Sequence, residues 1–244
     1  MNWSEKIERP GHQQLNRVGS VDWATFLAQG RRISDVIFSR LERLGVSPAS
    51  RILDFGCGIG RVFLPLAFEK SLNLQGCDID IDAVRYLGRV TGRSIHHTNF
   101  QPPLPFADNQ FDFIYSISIW THLNPAMGEV WLKEMRRILC RGGVALITTS
   151  GYAALEARRQ RGDAGWDCVD DEQLRRDGLI FVEYDGYRES PQGYPGVTEA
   201  YGLTAHDPAW VRANWGKTMH VADVEERVID NVQDLVTLVK QGAN

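Results

Sequence analysis

With 244 residues the chain is long enough for one large α/β domain that buries its core without disulfides or a structural metal. A 43% hydrophobic and 24% charged composition excludes a disordered segment, and a net charge of -4 supplies no basic field for a phosphate backbone, so nucleic acid is not expected as a partner. No run approaches the roughly 20 apolar residues that cross a bilayer, and polar residues 2–9 form no signal-peptide core, so a cytoplasmic protein without membrane insertion is expected.

Residues 1–50 read as a helical cap segment: Ile33, Val36, Ile37, Leu41 and Leu44 are spaced like one buried helical face, closed by Gly45 and Pro48. Trp23, upstream of that face, either anchors the segment to the core or closes over a ligand. Short apolar runs follow at 51–55, 72–77, 111–116 and 144–149, separated by helical stretches at 62–70, 81–90 and 127–139. Strands alternating with helices indicate βαβ units and a doubly wound, mostly parallel sheet with helices on both faces. After residue 150 the pattern changes to a stretch bearing Arg158, Arg159 and Arg161, then an aromatic and glycine-rich segment from Tyr184 to Tyr201, read as a solvated helix with loops or else as a substrate lid. The chain closes with strand candidates at 219–225 and 234–239, expected to complete the sheet as a terminal pair. Cys57, Cys77, Cys140 and Cys168 are scattered with no CxxC pair, which points to reduced thiols and not to zinc or disulfides.

The most informative segment is Ile52-Leu53-Asp54-Phe55-Gly56-Cys57-Gly58-Ile59-Gly60-Arg61, an apolar strand entering a glycine turn that opens a helix. Glycines let backbone approach a ligand, and the helix N-terminus adds partial positive charge. A dinucleotide fingerprint needs a third glycine where this chain has Arg61, so that reading fails. Asp54, just before the turn, would repel a pyrophosphate and suits a ligand with an ammonium or sulfonium. Asp78 follows about 20 residues beyond the loop, at the end of the second strand, where an acid can accept from both ribose hydroxyls. Asp80 and Asp82 are read as helix-capping or turn residues.

Residues 51–150 resemble the core of the class I S-adenosylmethionine-dependent methyltransferases. The glycine segment matches the first motif of that family, and Asp78 stands where its ribose acid stands. Leu104-Pro105-Phe106-Ala107-Asp108-Asn109-Gln110-Phe111-Asp112, running on to Ser116, resembles the fourth strand and its approach. Arg136-Arg137-Ile138-Leu139-Cys140-Arg141-Gly142-Gly143 resembles the turn before the fifth, with Arg141 in the usual place of a proline. The resemblance implies a Rossmann-like seven-stranded mostly parallel sheet with a terminal antiparallel strand, and S-adenosylmethionine as cofactor. It also implies a methyltransferase domain over 51–244, with a substrate-side insertion at about 151–215. By the same resemblance Asp54, Gly56, Cys57, Gly58 and Arg61 hold the methionine portion, Asp78 the ribose, Ile79, Asn99 and Phe100 the adenine, while the stretch of Ser116, Ile117 and Ser118 approaches the methionine end. Phe100 occupies a position where relatives often carry an acid. The last part of the chain, 206–215 and 231–235, resembles bacterial methyltransferases that act on glycans or natural products, with Val232 where a histidine often precedes the Gln-Asp pair.

Methyl transfer from a sulfonium needs alignment more than acid–base chemistry, because positioning contributes roughly 7 to 11 kcal/mol and a general base roughly 3 to 5. The candidate base is His122, just after the fourth strand on the carboxyl edge of the sheet, where its plainer reading is a histidine bonded to its own loop. Trp120 beside it shapes a pocket. His96 and His97 would point to opposite faces of a strand and so do not jointly face a metal. His206 is read as the cap of a helix begun at Asp207 and Pro208. The expected activity is methylation of a small-molecule or glycan acceptor, at oxygen if His122 is a base. The alternatives are a catalytically silent cofactor-binding or scaffold protein, or another use of the fold such as aminopropyl transfer. Oligomeric state is left open by the sequence.

Overall fold

Asp22 starts the longest helix: its carboxylate accepts from Thr25 N at 2.7 Å, satisfying one of the unpaired N–H groups of the first turn. In this computed structural model, which describes residues 3–47, 49–184 and 201–242, that helix runs Trp23–Arg43. Phe26, Ile33, Ile37 and Leu41 form its buried face, each contributing roughly 1.5 to 3 kcal/mol of burial. Leu44, expected on that face, is 42% exposed, because it lies past the last helical turn, and Gly45 at φ +68° ends the helix. Pro48 and residues 185–200 lie outside the described residues.

The chain divides into two compact units. The first comprises Met1–Asn99 and Phe111–Tyr115. It holds α1 (His12–Arg17), α2 (Trp23–Arg43), β1 (Ile52–Phe55), α3 (Phe63–Phe68), β2 (Leu74–Asp78), α4 (Ile81–Thr91), β3 (Ile95–His97) and nearly all of β4 (Phe111–Ser116). β1 is buried along its whole length and pairs in parallel with both β2 and β4, while β3 pairs in parallel with β2. Such two-sided burial is why β1 is apolar at every position but Asp54. α4 starts at Asp80, whose Oδ1 accepts from the N–H groups of Asp82 and Ala83, and ends at Gly92 with φ +65°.

The second unit comprises Phe100–Gln110 and Ser116–Asn244. It holds α5 (Pro125–Ile138), β5 (Leu139–Thr149), α6 (Tyr152–Gln160), α7 (Asp171–Asp177), β6 (Leu179–Glu183), β7 (Gly202–His206), α8 (Pro208–Trp215), β8 (His220–Ile229) and β9 (Gln233–Val239). The expected terminal pair is present: β9 runs antiparallel to both β5 and β8. β6 and β7 make a separate antiparallel pair over a small core of Leu155, Trp166, Val169, Leu174, Ile180, Leu203 and Ala205. The three arginines expected on a solvated helix instead tie this region together. Arg158 lies over the Trp166 ring and bonds Asp163 and the Val232 carbonyl; Arg159 grips Asp171 with two nitrogens; Arg161 donates to the Asp230 carbonyl. The main sheet has seven strands in the order β3-β2-β1-β4-β5-β9-β8, the Rossmann-like arrangement expected from the sequence.

Candidate functional site

The glycine turn of the first unit is folded by its own acids and carbonyls. Gly56 N and Cys57 N both donate to the Cys77 carbonyl, at 2.9 and 3.1 Å, which draws the turn onto the end of β2. Gly58 at φ +49° and Gly60 at φ +88° take backbone angles that side chains disfavour, and a Cβ on Gly60 would strike Leu87 at 2.5 Å. Gly58 N donates to Asp78 Oδ2 at 2.7 Å and Asp80 N to Oδ1 at 2.8 Å. The Asp78 carboxyl is thus pinned by backbone, and each oxygen keeps acceptor capacity for a further hydroxyl. Burial nonetheless raises its pKa above the usual carboxylate range, against those same backbone bonds.

Asp54 is 3% exposed at the third position of β1. Tyr115 Oη donates to its Oδ2 at 2.8 Å, and among the described residues no other donor reaches this carboxyl. Burial pushes its pKa up to about 8; the Tyr115 bond opposes that, the nearby Asp78 adds to it, and Arg61 opposes it from a distance. Cys57 is buried with its thiol pKa raised, and its Sγ closes the space beside Gly76. Arg61 reaches the chain's N-terminal segment, donating to the Val18 carbonyl at 2.6 Å. Ile79 is half-buried, with its carbonyl 3.1 Å from His97 Nε2. Thr98 N donates to the Asp78 carbonyl, so β3 delivers the chain beside that acid; Asn99, next along, is exposed. Asp54, Asp78 and the glycines are therefore brought together at the ends of two adjacent strands.

In the second unit Ser116 and Ile117 are buried at the exit of β4, and Phe100 is half-buried. Ser118, at φ +63°, holds a conformation strained for a non-glycine residue. Its N–H donates to Thr148 Oγ1 at 2.7 Å and its hydroxyl accepts from Gln233 Nε2 at 2.8 Å. His122 follows. Its Nδ1 lies 2.9 Å from the Gly202 carbonyl and 3.0 Å from the Tyr184 hydroxyl, and its ring stacks on Tyr201 at 5.2 Å. A carbonyl only accepts, so that short contact places the proton on Nδ1 and leaves Nε2 with a lone pair. Burial pushes the imidazole pKa down to about 4, so the ring is neutral at physiological pH.

His206 does not cap α8. The cap is Asp207, whose Oδ1 accepts from Trp210 N at 2.8 Å, while His206 is buried on β7 between the Trp210 and Trp215 rings. Among the described residues its Nδ1 has no hydrogen-bond partner, and the same holds for Thr121 Oγ1, Ser150 Oγ and Gln233 Oε1, all buried in this unit. The sequence reading included Ser118 in the stretch after β4 but did not single out Tyr115, Tyr184 or Gln233 as candidates. A phenol in a strand expected to be buried was the available signal for Tyr115; the others depend on contacts remote in sequence.

Residues 53–147 match the methyltransferase domain family. The chain is 31% identical over 121 residues to the methyltransferase GfsG of Streptomyces halstedii, covering 47% of this chain and 41% of that protein. It is 32% identical over 108 residues to the sterol 24-C-methyltransferase erg6 of Schizosaccharomyces pombe, covering 42% and 28% respectively. The chain thus spans half or less of the length of these curated relatives. The magnesium protoporphyrin IX methyltransferase of Synechocystis PCC 6803, solved with bound S-adenosylhomocysteine, shares the fold at TM-score 0.61 and 15% identity over 94% of each chain. A S-adenosylmethionine-dependent methyltransferase of Methanosarcina mazei does so at TM-score 0.54 and 20% identity, over 81% of this chain and 95% of that one. Residues 53–147 are thus similar to the methyltransferase domain, and the chain shares its fold with S-adenosylmethionine-dependent methyltransferases of known structure.

Proposed function

We propose that this protein transfers a methyl group from S-adenosylmethionine to an oxygen of a small-molecule or glycan acceptor, with His122 as the general base. The observation that carries the reading is the 2.9 Å contact between His122 Nδ1 and the Gly202 carbonyl, which selects the tautomer with a free Nε2 lone pair. A hydroxyl is a poor nucleophile until its proton is taken, and a neutral imidazole can take it, a contribution of about 10² to 10⁴ in rate. Tyr184 and Tyr201 hold the ring in place, so little orientation remains to be paid for at the moment of reaction.

The residues of the first unit fit the cofactor. When bound, it supplies a methyl group already activated on a sulfonium. Asp78, with both oxygens anchored and acceptor capacity left over, takes the ribose hydroxyls; Asp54 meets the positive charge of the methionine portion; the turn from Gly56 to Gly58 admits close backbone approach. Ile79, Asn99 and Phe100 take the adenine, and Ser116 and Ile117 the methionine end. Residues 1–50 serve as a cap, and 151–215 as the insertion that selects the acceptor. A carbon acceptor is the second reading, favoured by the similarity to a sterol 24-C-methyltransferase.

The test is transfer of isotope-labelled methyl to a panel of sugars, phenols and sterols, read by mass spectrometry. Label on an oxygen, lost in His122→Ala, supports the proposal. Label on carbon selects the second reading, and cofactor binding without transfer to any acceptor favours a silent binding protein.

A further inference from the structure

Parallel pairing of β1 with β4 makes Asp54 and Tyr115 direct neighbours across two strands, and both side chains are enclosed in the first unit. A phenol at 0% exposure needs a hydrogen-bond partner, and this one donates to the carboxyl of Asp54 at 2.8 Å. The charged and titratable groups facing Asp54 are few. Asp78, from β2, opposes its ionisation. Arg61, from the turn before α3, favours it but bonds the Val18 carbonyl. The thiols of Cys57 and Cys77 stay neutral because burial raises their pKa. No lysine or arginine forms an ion pair with Asp54 among the described residues, so apart from the more distant Arg61 its negative charge is uncompensated until a cation arrives. With its pKa pushed up to about 8, the carboxyl carries a proton at neutral pH in the cofactor-free protein.

We propose that Tyr115 is the positioning residue for Asp54 and that cofactor binding expels the Asp54 proton to solvent, so that Tyr115 sets the pH at which the cofactor binds. This rests on the reading that Asp54 meets the positive charge of the methionine portion. The balance is simple: one O–H bond of the carboxyl breaks, the proton passes to buffer, and the carboxylate remains against the incoming cation. Tyr115 keeps its own proton, since burial beside Asp54 pushes the phenol well above its ordinary range. Its donation to Oδ2 stabilises the anion and holds the carboxyl plane, leaving Oδ1 to face the ligand. Below the carboxyl pKa, affinity falls by up to about tenfold per pH unit.

The experiment is calorimetric titration of the full chain with S-adenosylhomocysteine, from about pH 6 to about pH 9, in two buffers of different ionisation enthalpy. The parent should release up to one proton near pH 7 and bind more tightly as pH rises. Tyr115→Phe should bind about tenfold more weakly at pH 7 and recover towards the parent near pH 9, since the carboxyl without its donor holds the proton more firmly. Asp54→Asn should release no proton and show a flat profile. Binding by the parent without proton release, equal release by Asp54→Asn, or a Tyr115→Phe defect of constant size at every pH overturns the inference and leaves the cofactor assignment standing. If Tyr115→Phe does not fold, the parent and Asp54→Asn decide by themselves. Failure of the parent to bind at any pH overturns the site assignment and the inference with it.

Discussion

The acids of the first unit and the imidazole of the second meet the same physical force with opposite results. Burial pushes Asp54 up to about 8 and His122 down to about 4, so both are neutral at pH 7 without cofactor. For the acid, the proposal makes neutrality a state that a cationic ligand ends. For the histidine, it is the state that the proposed base role requires. Desolvation alone therefore prepares one group to release a proton and the other to accept one, and the neighbouring hydrogen bonds decide how: Tyr115 donates to the acid, while the Gly202 carbonyl selects the histidine tautomer.

The most forceful way to break this comparison is His122→Ala. We expect transfer to slow by about 10² to 10⁴ while affinity for S-adenosylhomocysteine stays at the parent level. Equal loss of both, in single-turnover and binding measurements, would show that the histidine only supports the fold. Next in size is Asp78→Ala, which removes a charged acceptor and also frees the Gly58 N–H; cofactor affinity should fall by about 1.5 to 3 kcal/mol in calorimetry. Unchanged affinity in a folded variant would remove Asp78 from the site.

Thermal melts across pH sharpen the contrast. Asp54 binds its proton more tightly folded than unfolded, so its contribution to stability declines as pH rises from about 4 to about 8. His122 and His206 are lowered to about 4 and about 3 from 6.5, so their contribution is whole above pH 6.5 and is lost as pH falls towards those values. The cofactor-free protein should be most stable between these limbs, and saturating S-adenosylhomocysteine should flatten only the alkaline one. His206→Phe, which keeps a ring between Trp210 and Trp215, should weaken the acid limb. An acid limb unchanged in that variant would rule out His206 as its source. The smallest expected effect is Asp207→Ala, about 1 kcal/mol from loss of the α8 cap, read as a lower Tm. A loss well beyond that would mean the Tyr152 hydroxyl bond to Asp207 matters more than the cap.

The regions that sequence reading resolved well are those with local causes. β1 and β4 are mostly apolar runs, interrupted by Asp54 in one and Asp112 in the other, and the strand limits expected for β4 coincide with Phe111–Ser116. β5 begins earlier than expected, at Leu139, where it passes through Gly142 and Gly143. Sequence patterning did not reveal β3, because three residues with two histidines carry no periodicity, nor the pair β6 and β7, whose residues are far apart in the chain. In that pair Gly202 packs against the Val182 backbone, where any side chain would collide, a constraint visible only once the strands are adjacent. His206 was misread for a related reason: Asp207 and Pro208 signalled a helix start correctly, but burial between two tryptophans assigned the histidine elsewhere.

The sequence by itself determined the fold class, the glycine turn, the two strand-end acids and the histidine after β4, since each is written in a short stretch whose residues act on their own neighbours. Tertiary structure alone decided how those groups behave. The Tyr115 donor lies 61 residues from Asp54 and the Gly202 acceptor 80 from His122, and both arrive only through strand pairing and packing. Protonation and tautomer depend on burial and on partners brought from a distance, and neither is a property of the local sequence.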